Sequence, residues 1–251
     1  MFIISVKDST FDVLLRYYDR TKDLKKFILV CREMLEKKAS TPEMRGEICE
    51  VVLYVMLNEY IKKNNLKDWR IAKGLILKDV NKEKDHNYFT EVDLTLFTPK
   101  CIYSFECKCY KGKKYLKDRG TLYVKRGNDY KKALDVFDQH FKHFKVLLDT
   151  VKVGMDKRVD DPKYKSFKLL YFDFSIERTE DKREAKFKSL FPIINEDNLF
   201  SLFNTYNDRP NYWNMEIVNK VVDIVEKSSK ANSKKHLDYV SSLNHNRSSK
   251  K

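Results

Sequence analysis

The run from Ser40 to Lys62, STPEMRGEICEVVLYVMLNEYIK, constrains the fold more than any other part of the chain. Ser40 or Thr41 can cap a helix, Pro42 fits its first turn, and Glu43 can close a capping box on Ser40. The middle of the run, VVLYVML, is apolar almost all round. A helix of that kind is a buried one, so other layers of structure must cover it.

The rest of the chain supplies such layers. Asp12 to Lys38 reads as one or two amphipathic helices with Leu14, Leu15, Tyr18, Leu24, Ile28, Val30 and Leu35 turned inward. Strands are expected at Arg70–Leu77, Tyr88–Phe97 and Cys101–Tyr110, then a helix from about Asp129 to Val151. A strand at Phe167–Ile176 follows, then a short strand and a helix within FPIINEDNLFSLFN, with Asn195 or Asp197 near the helix cap. The pattern is α/β (α+β), a mixed central sheet flanked by helices, with an N-terminal helical segment. Three parts are expected: an N-terminal helical extension over residues 1–40, a core domain over 41–226, and a basic tail without regular structure over 227–251. A short helix near His236 is an option within that tail.

Charge narrows the function. Lys and Arg number 51 against 37 Asp and Glu, a net charge of +14. Such an excess favours a polyanionic partner, most often nucleic acid, with an anionic membrane surface as the competing reading. No apolar run approaches the roughly 20 residues of a membrane span. MFIIS at the start is too short for a signal-peptide core. Five cysteines without disulfide-framework spacing suit a reduced, cytoplasmic protein.

The stretch SFECKCYKG, Ser104 to Gly112, sets a carboxylate and an amine two residues apart in a strand. Alternation puts Ser104, Glu106, Lys108 and Tyr110 on one face, and Phe105, Cys107 and Cys109 on the other. In the preceding strand Phe89, Glu91, Asp93, Thr95 and Phe97 share a face. Pro99 excludes a tight I′ turn between the strands. With the loop centred between Pro99 and Lys100, residues whose numbers total 199 face each other, Asp93 and Glu106 among them. Opposed carboxylates repel, so the pair needs a cation. Lys108 supplies one; a hard divalent ion, which takes oxygen ligands, suits carboxylates about 4–5 Å apart better. A cross-strand ion network on a solvated face is the plainer reading, and the spacing leaves both open.

These residues resemble the PD-(D/E)xK nuclease superfamily, and more closely its nuclease-related domain branch. The resemblance rests on Gly46-Glu47 opening a core helix, Glu91-Val92-Asp93, Glu106-Cys107-Lys108, Tyr110-Lys111-Gly112, and Gln139 on the helix after the hairpin. It covers roughly Arg45 to Leu202. Departures are Val92 in place of a Pro before the Asp, a longer and more basic segment over residues 112–130, and His143 where related nucleases carry Tyr. The resemblance implies a restriction endonuclease-like core and Mg²⁺- or Mn²⁺-dependent hydrolysis of phosphodiester bonds. It implies Asp93, Glu106, Glu47 and the carbonyl of Cys107 as metal ligands. Lys108 would position or deprotonate water, Gln139 would orient Lys108 or a phosphate, and Glu91 would support Asp93. Glu50, one turn beyond Glu47, is the rival helix carboxylate.

The segment after the Glu106–Lys108 strand interleaves Lys111, Lys113, Lys114, Lys117, Arg119, Lys125 and Arg126 with Tyr115, Tyr123 and Tyr130. Basic side chains bind phosphates and tyrosines stack on unpaired bases, whereas a solvated loop is the plainer reading. DNA is favoured over RNA, a homodimer is left as an option, and no membrane is expected. A non-catalytic nucleic-acid-binding protein on a nuclease-like fold is the alternative. His140 and His143 read as polar helix positions, and Cys101, Cys107 and Cys109 as small core residues.

Overall fold

A computed structural model of the chain describes residues 9–37, 40–79, 89–155, 167–204 and 210–248, the last fifteen of these in backbone only. MFIIS, Lys38 and Tyr88 lie outside the described residues. The architecture is mixed α/β, with seven helices and two mixed sheets among the described residues. One sheet has five strands in the order β1-β2-β3-β7-β9; the other has four, in the order β6-β5-β4-β8. The chain divides into two compact units, and β3 passes from one to the other between Ser104 and Phe105.

The first unit holds residues 1–67, 105–138 and 169–209. Two helices, α1 (Thr10–Thr21) and α2 (Leu24–Glu36), lie against α3 (Pro42–Lys63). Ser9 caps α1 through the Asp12 amide, and Asp23 caps α2 through the Lys26 amide. Between them Lys22 adopts the left-handed conformation and closes α1 onto the Tyr18 carbonyl. Thr41, rather than Ser40, caps α3 by accepting from the Met44 amide. As its composition requires, α3 is the core: Ile48, Cys49, Val51, Val52, Leu53, Val55, Met56 and Leu57 are all buried. Also here are β3 (Ile102–Lys108) beyond Ser104, β7 (Phe167–Asp173) with β9 (Ile193–Ile194) parallel to it, and the short helices α5 (Ala185–Leu190) and α6 (Leu199–Asn204).

The lysine-rich segment is not a solvated loop. It folds into β4 (Lys114–Lys117), β5 (Thr121–Arg126) and β6 (Asp129–Asp135), with β8 (Glu180–Asp181) parallel to β4. Its charges obscure a period of two: Lys114, Leu116, Leu122 and Val124 are buried while their neighbours face out. Gly120 is required by close approach, because a Cβ there would lie 2.6 Å from that of Phe137. Gly127, at φ +64°, opens the two-residue turn between β5 and β6. The helix α4 (Val136–Gly154) accordingly begins later than its apolar pattern predicts, since β6 occupies residues 129–135.

The second unit holds β1 (Arg70–Lys78), β2 (Phe89–Phe97), most of α4 and the long helix α7 (Met215–Ser248). β1 and β2 pair antiparallel, and α7 packs against both. The helix runs on past residue 227, where Ser, Lys and Asn composition predicts a tail without regular structure. Two contacts hold its continuation: Ser229 Oγ accepts from the Ile76 amide at 2.9 Å, and Asn232 Nδ2 donates to the Ile76 carbonyl at 3.2 Å. β1 is an edge strand, and these side chains satisfy backbone groups that such an edge leaves unpaired. Among the described residues no helix is long and apolar enough to cross a membrane.

Candidate active site

The strand β3 is buried on both faces as far as Cys107, not half-buried as alternation suggests. Glu106 is 1% exposed and its carboxylate meets the Lys108 ammonium at 2.6 Å. An ion pair this deep is costly to form, and leaving either partner alone in a dry setting costs more still. The Lys108 side chain keeps 21% of its surface in solvent, so the pair is reachable from outside. Cys107 is buried on the other face, as a small core residue.

Where β3 ends, the chain enters a braced loop. Lys114 is 3% exposed and donates to the carbonyls of Tyr110, Gly112 and Glu177. Burial pushes its ammonium below the ordinary lysine range, partly offset by Asp173. Of the basic residues read as phosphate contacts, Lys114 is therefore turned inward and holds the loop, while Lys111, Lys113, Lys117, Arg119, Lys125 and Arg126 are exposed. A cavity of about 270 Å³ opens here, with Arg45, Cys109, Tyr110, Lys111 and Glu177 in its wall. Burial pushes the Cys109 thiol up to about 12, which leaves it protonated and inert at neutral pH. Asp173, at the end of β7, organises the facing loop by accepting from the amides of Ser175 (3.0 Å) and Thr179 (2.6 Å). Arg178 donates to the Asp173 carbonyl and pairs with Glu196, which also meets Arg32. Sequence reading missed this brace, although an Asp with Ser two residues on is an Asx-turn signal.

Glu47 has a partner of another kind. Its Oε2 accepts from the Phe11 amide at 3.2 Å, at the start of α1. A carboxylate suits a helix N-terminus, where amides lack intrahelical partners and the dipole is positive. The carboxylate expected to hold metal thus also docks the N-terminal helix. Glu50 lies half-buried on the same helix.

In the second unit Asp93 is half-buried on β2, and Glu91, two residues earlier, is exposed. β1 leaves regular strand geometry at the level of Asp93: Gly74 has φ +55°, between the pairs Lys73–Leu94 and Leu75–Val92. The turn after β2 is closed by Thr98, whose amide donates to the Cys101 carbonyl at 3.1 Å and whose hydroxyl donates to the same carbonyl at 2.9 Å. The Thr98 hydroxyl oxygen also accepts from the Cys101 amide at 3.0 Å. Gln139 is half-buried in the first turn of α4. His140 is a polar helix position, as expected, and a buried one: its Nε2 lies 2.9 Å from the Ser104 carbonyl.

Among the described residues no three His, Cys, Asp or Glu side chains converge as a metal cluster. The structure brings together Glu106 with Lys108, and Glu47 with the start of α1. A buried carboxylate with an ammonium on one strand provides hard oxygen donors and a fixed cation, which suits a hydrated divalent ion and an anionic substrate.

No curated protein and no solved structure matches the chain. The family model described as nuclease-related domain matches residues 45–170, half of the chain. That span runs from the first turn of α3 through β7's midpoint and includes Glu47, Asp93, Glu106, Lys108 and Gln139. The chain belongs to the nuclease-related domain family.

Proposed function

We propose that the protein is a metal-dependent nuclease that hydrolyses phosphodiester bonds, with DNA as its favoured substrate and Mg²⁺ or Mn²⁺ as its ion. The observation that carries this reading is the buried Glu106–Lys108 pair on β3, within a family named for nuclease relatedness. Mg²⁺ keeps several waters and uses one or two carboxylates plus substrate phosphates, so a third protein carboxylate is not needed. Asp93, Glu106 and the Cys107 carbonyl would hold the ion, and Glu47 or Glu50 would reach it through water. When bound, the ion lowers the pKa of its water and stabilises charge on the phosphate.

The chain's own groups do the rest. Lys108 orients the attacking water and so assists its deprotonation, and its cation offsets the charge that develops on the phosphoryl oxygens. Gln139 holds Lys108 or a phosphate in place. Glu106 fixes the Lys108 ammonium at the end of a rigid strand, where precise positioning is easiest.

The test is cleavage of linear, circular and single-stranded DNA with Mg²⁺, with Mn²⁺ and with EDTA. Wild type should cut with either ion and stop in EDTA. Asp93→Ala and Lys108→Ala should each lose at least about 10³-fold, the scale of removing one preorganised electrostatic contact. Equal cutting by wild type and either variant would exclude the mechanism.

A further inference from the structure

The outer face of the four-stranded sheet carries a feature that phosphodiester hydrolysis does not use. Residues Tyr115 and Tyr123 are register partners on β4 and β5, and their rings stack with centroids 5.1 Å apart and planes 15° apart. Tyr130 on β6 continues the row, 4.9 Å from Tyr115. Alternation places Lys117, Lys125 and Lys132 on this face, and β8 adds Lys182, whose ammonium lies 4.5 Å from the Tyr115 ring centroid. All four lysines are exposed, and Tyr130 is 41% exposed. Acidic groups on or beside the face include Glu180, which pairs with Lys182, Asp135, which pairs with Lys132, and Asp118, whose charge also acts on Lys132. Among the described residues no ion pair joins Lys117 or Lys125 to a carboxylate.

The tyrosines are not part of the core, because Leu116, Leu122 and Val124 fill the sheet's buried side; their cross-strand stacking supports the sheet and also leaves ring surface and lysines facing out. Aromatic rings flanked by lysines fit one chemistry well: flat bases stack on the rings while phosphates meet the ammonium groups. A duplex hides its base faces, so only an unpaired strand can use them.

We infer that this face binds single-stranded nucleic acid, with unpaired bases stacking on Tyr115, Tyr123 and Tyr130 and phosphates meeting Lys117 and Lys125. The inference rests on the nucleic-acid reading above and names the strand state of the substrate. The sheet follows directly on β3, so a strand held there is tethered by the same segment that leaves the Glu106–Lys108 pair.

Fluorescence anisotropy of the full chain in EDTA separates binding from cleavage. The probes are fluorescein-labelled oligo-dT and oligo-U of about 20 nucleotides and a duplex of equal length. Wild type should bind the single strands more tightly than the duplex. Tyr115→Ala and Tyr123→Ala should each weaken single-strand binding by about tenfold or more, with duplex binding unchanged. Tyr123→Trp should retain it. Lys117→Gln and Lys125→Gln do not touch the core, and each should reduce the salt slope by about 0.7. Unchanged single-strand binding in the folded alanine variants, or a wild type that prefers duplex, would overturn the inference. Binding with this pattern but no cleavage by wild type would remove the nuclease reading and leave the platform standing. Asp93-dependent cleavage with tyrosine-independent binding would do the reverse.

Discussion

β3 carries a single lysine and the adjoining β4–β5–β6 sheet carries several, and the two use them in opposite ways. On β3, Lys108 lies beside a carboxylate that is 1% exposed. On the outer sheet, Lys117 and Lys125 are solvated and sit beside tyrosines. A charge pair in a dry strand is expensive, weakly stabilising at best, and worth keeping where chemistry needs a fixed cation and a fixed anion. Exposed lysines cost little and act through their field and their reach. Burial, and not the number of charges, separates a candidate catalytic position from a candidate binding face.

The largest effect is expected on β3. Glu106→Ala strands the Lys108 ammonium in a buried setting and should cost about 3–5 kcal/mol, read by urea unfolding. A loss below about 1 kcal/mol would mean that Lys108 simply swings into water, and the contrast with the outer sheet would collapse. Glu47 comes next. Glu47→Ala removes the acceptor for the Phe11 amide and should cost about 1–2 kcal/mol through α1 docking. Glu47→Ala and Glu50→Ala compared in the cleavage assay at equal folded fraction identify the metal-side carboxylate, which is the one whose loss reduces cleavage more. The smallest effect belongs to the outer face, where Lys125→Gln should change stability by less than about 0.5 kcal/mol. A larger loss would give that lysine a structural role.

The legibility of the sequence follows the same divide. Apolar periodicity revealed α3, the N-terminal helices and strands β1, β2, β3 and β7, because burial leaves a pattern in residue type. It hid β4, β5 and β6, whose outward positions are so rich in lysine that the inward Leu116, Leu122 and Val124 lose their contrast. Lys114 misled most: it reads as a phosphate contact, yet three carbonyls replace its water. A tertiary brace of that kind has no local signature. The same holds for α7 beyond residue 227, which depends on Ser229 and Asn232 meeting Ile76, far away in sequence. Glu106 and Lys108 were visible as charges out of place in a strand. Their burial was not, since it depends on which strands flank β3.

The pair on β3 is either chemistry or scaffolding, and the double variant Glu106→Met/Lys108→Met separates the two. Replacing both members of a buried ion pair with hydrophobic groups of similar volume is often neutral or stabilising, so the variant should unfold at or above the wild-type midpoint. Its Mg²⁺-dependent cleavage of circular DNA should nevertheless fall by at least about 10³-fold. A stable double variant that cuts as fast as wild type would contradict the assignment of Glu106 and Lys108 to catalysis.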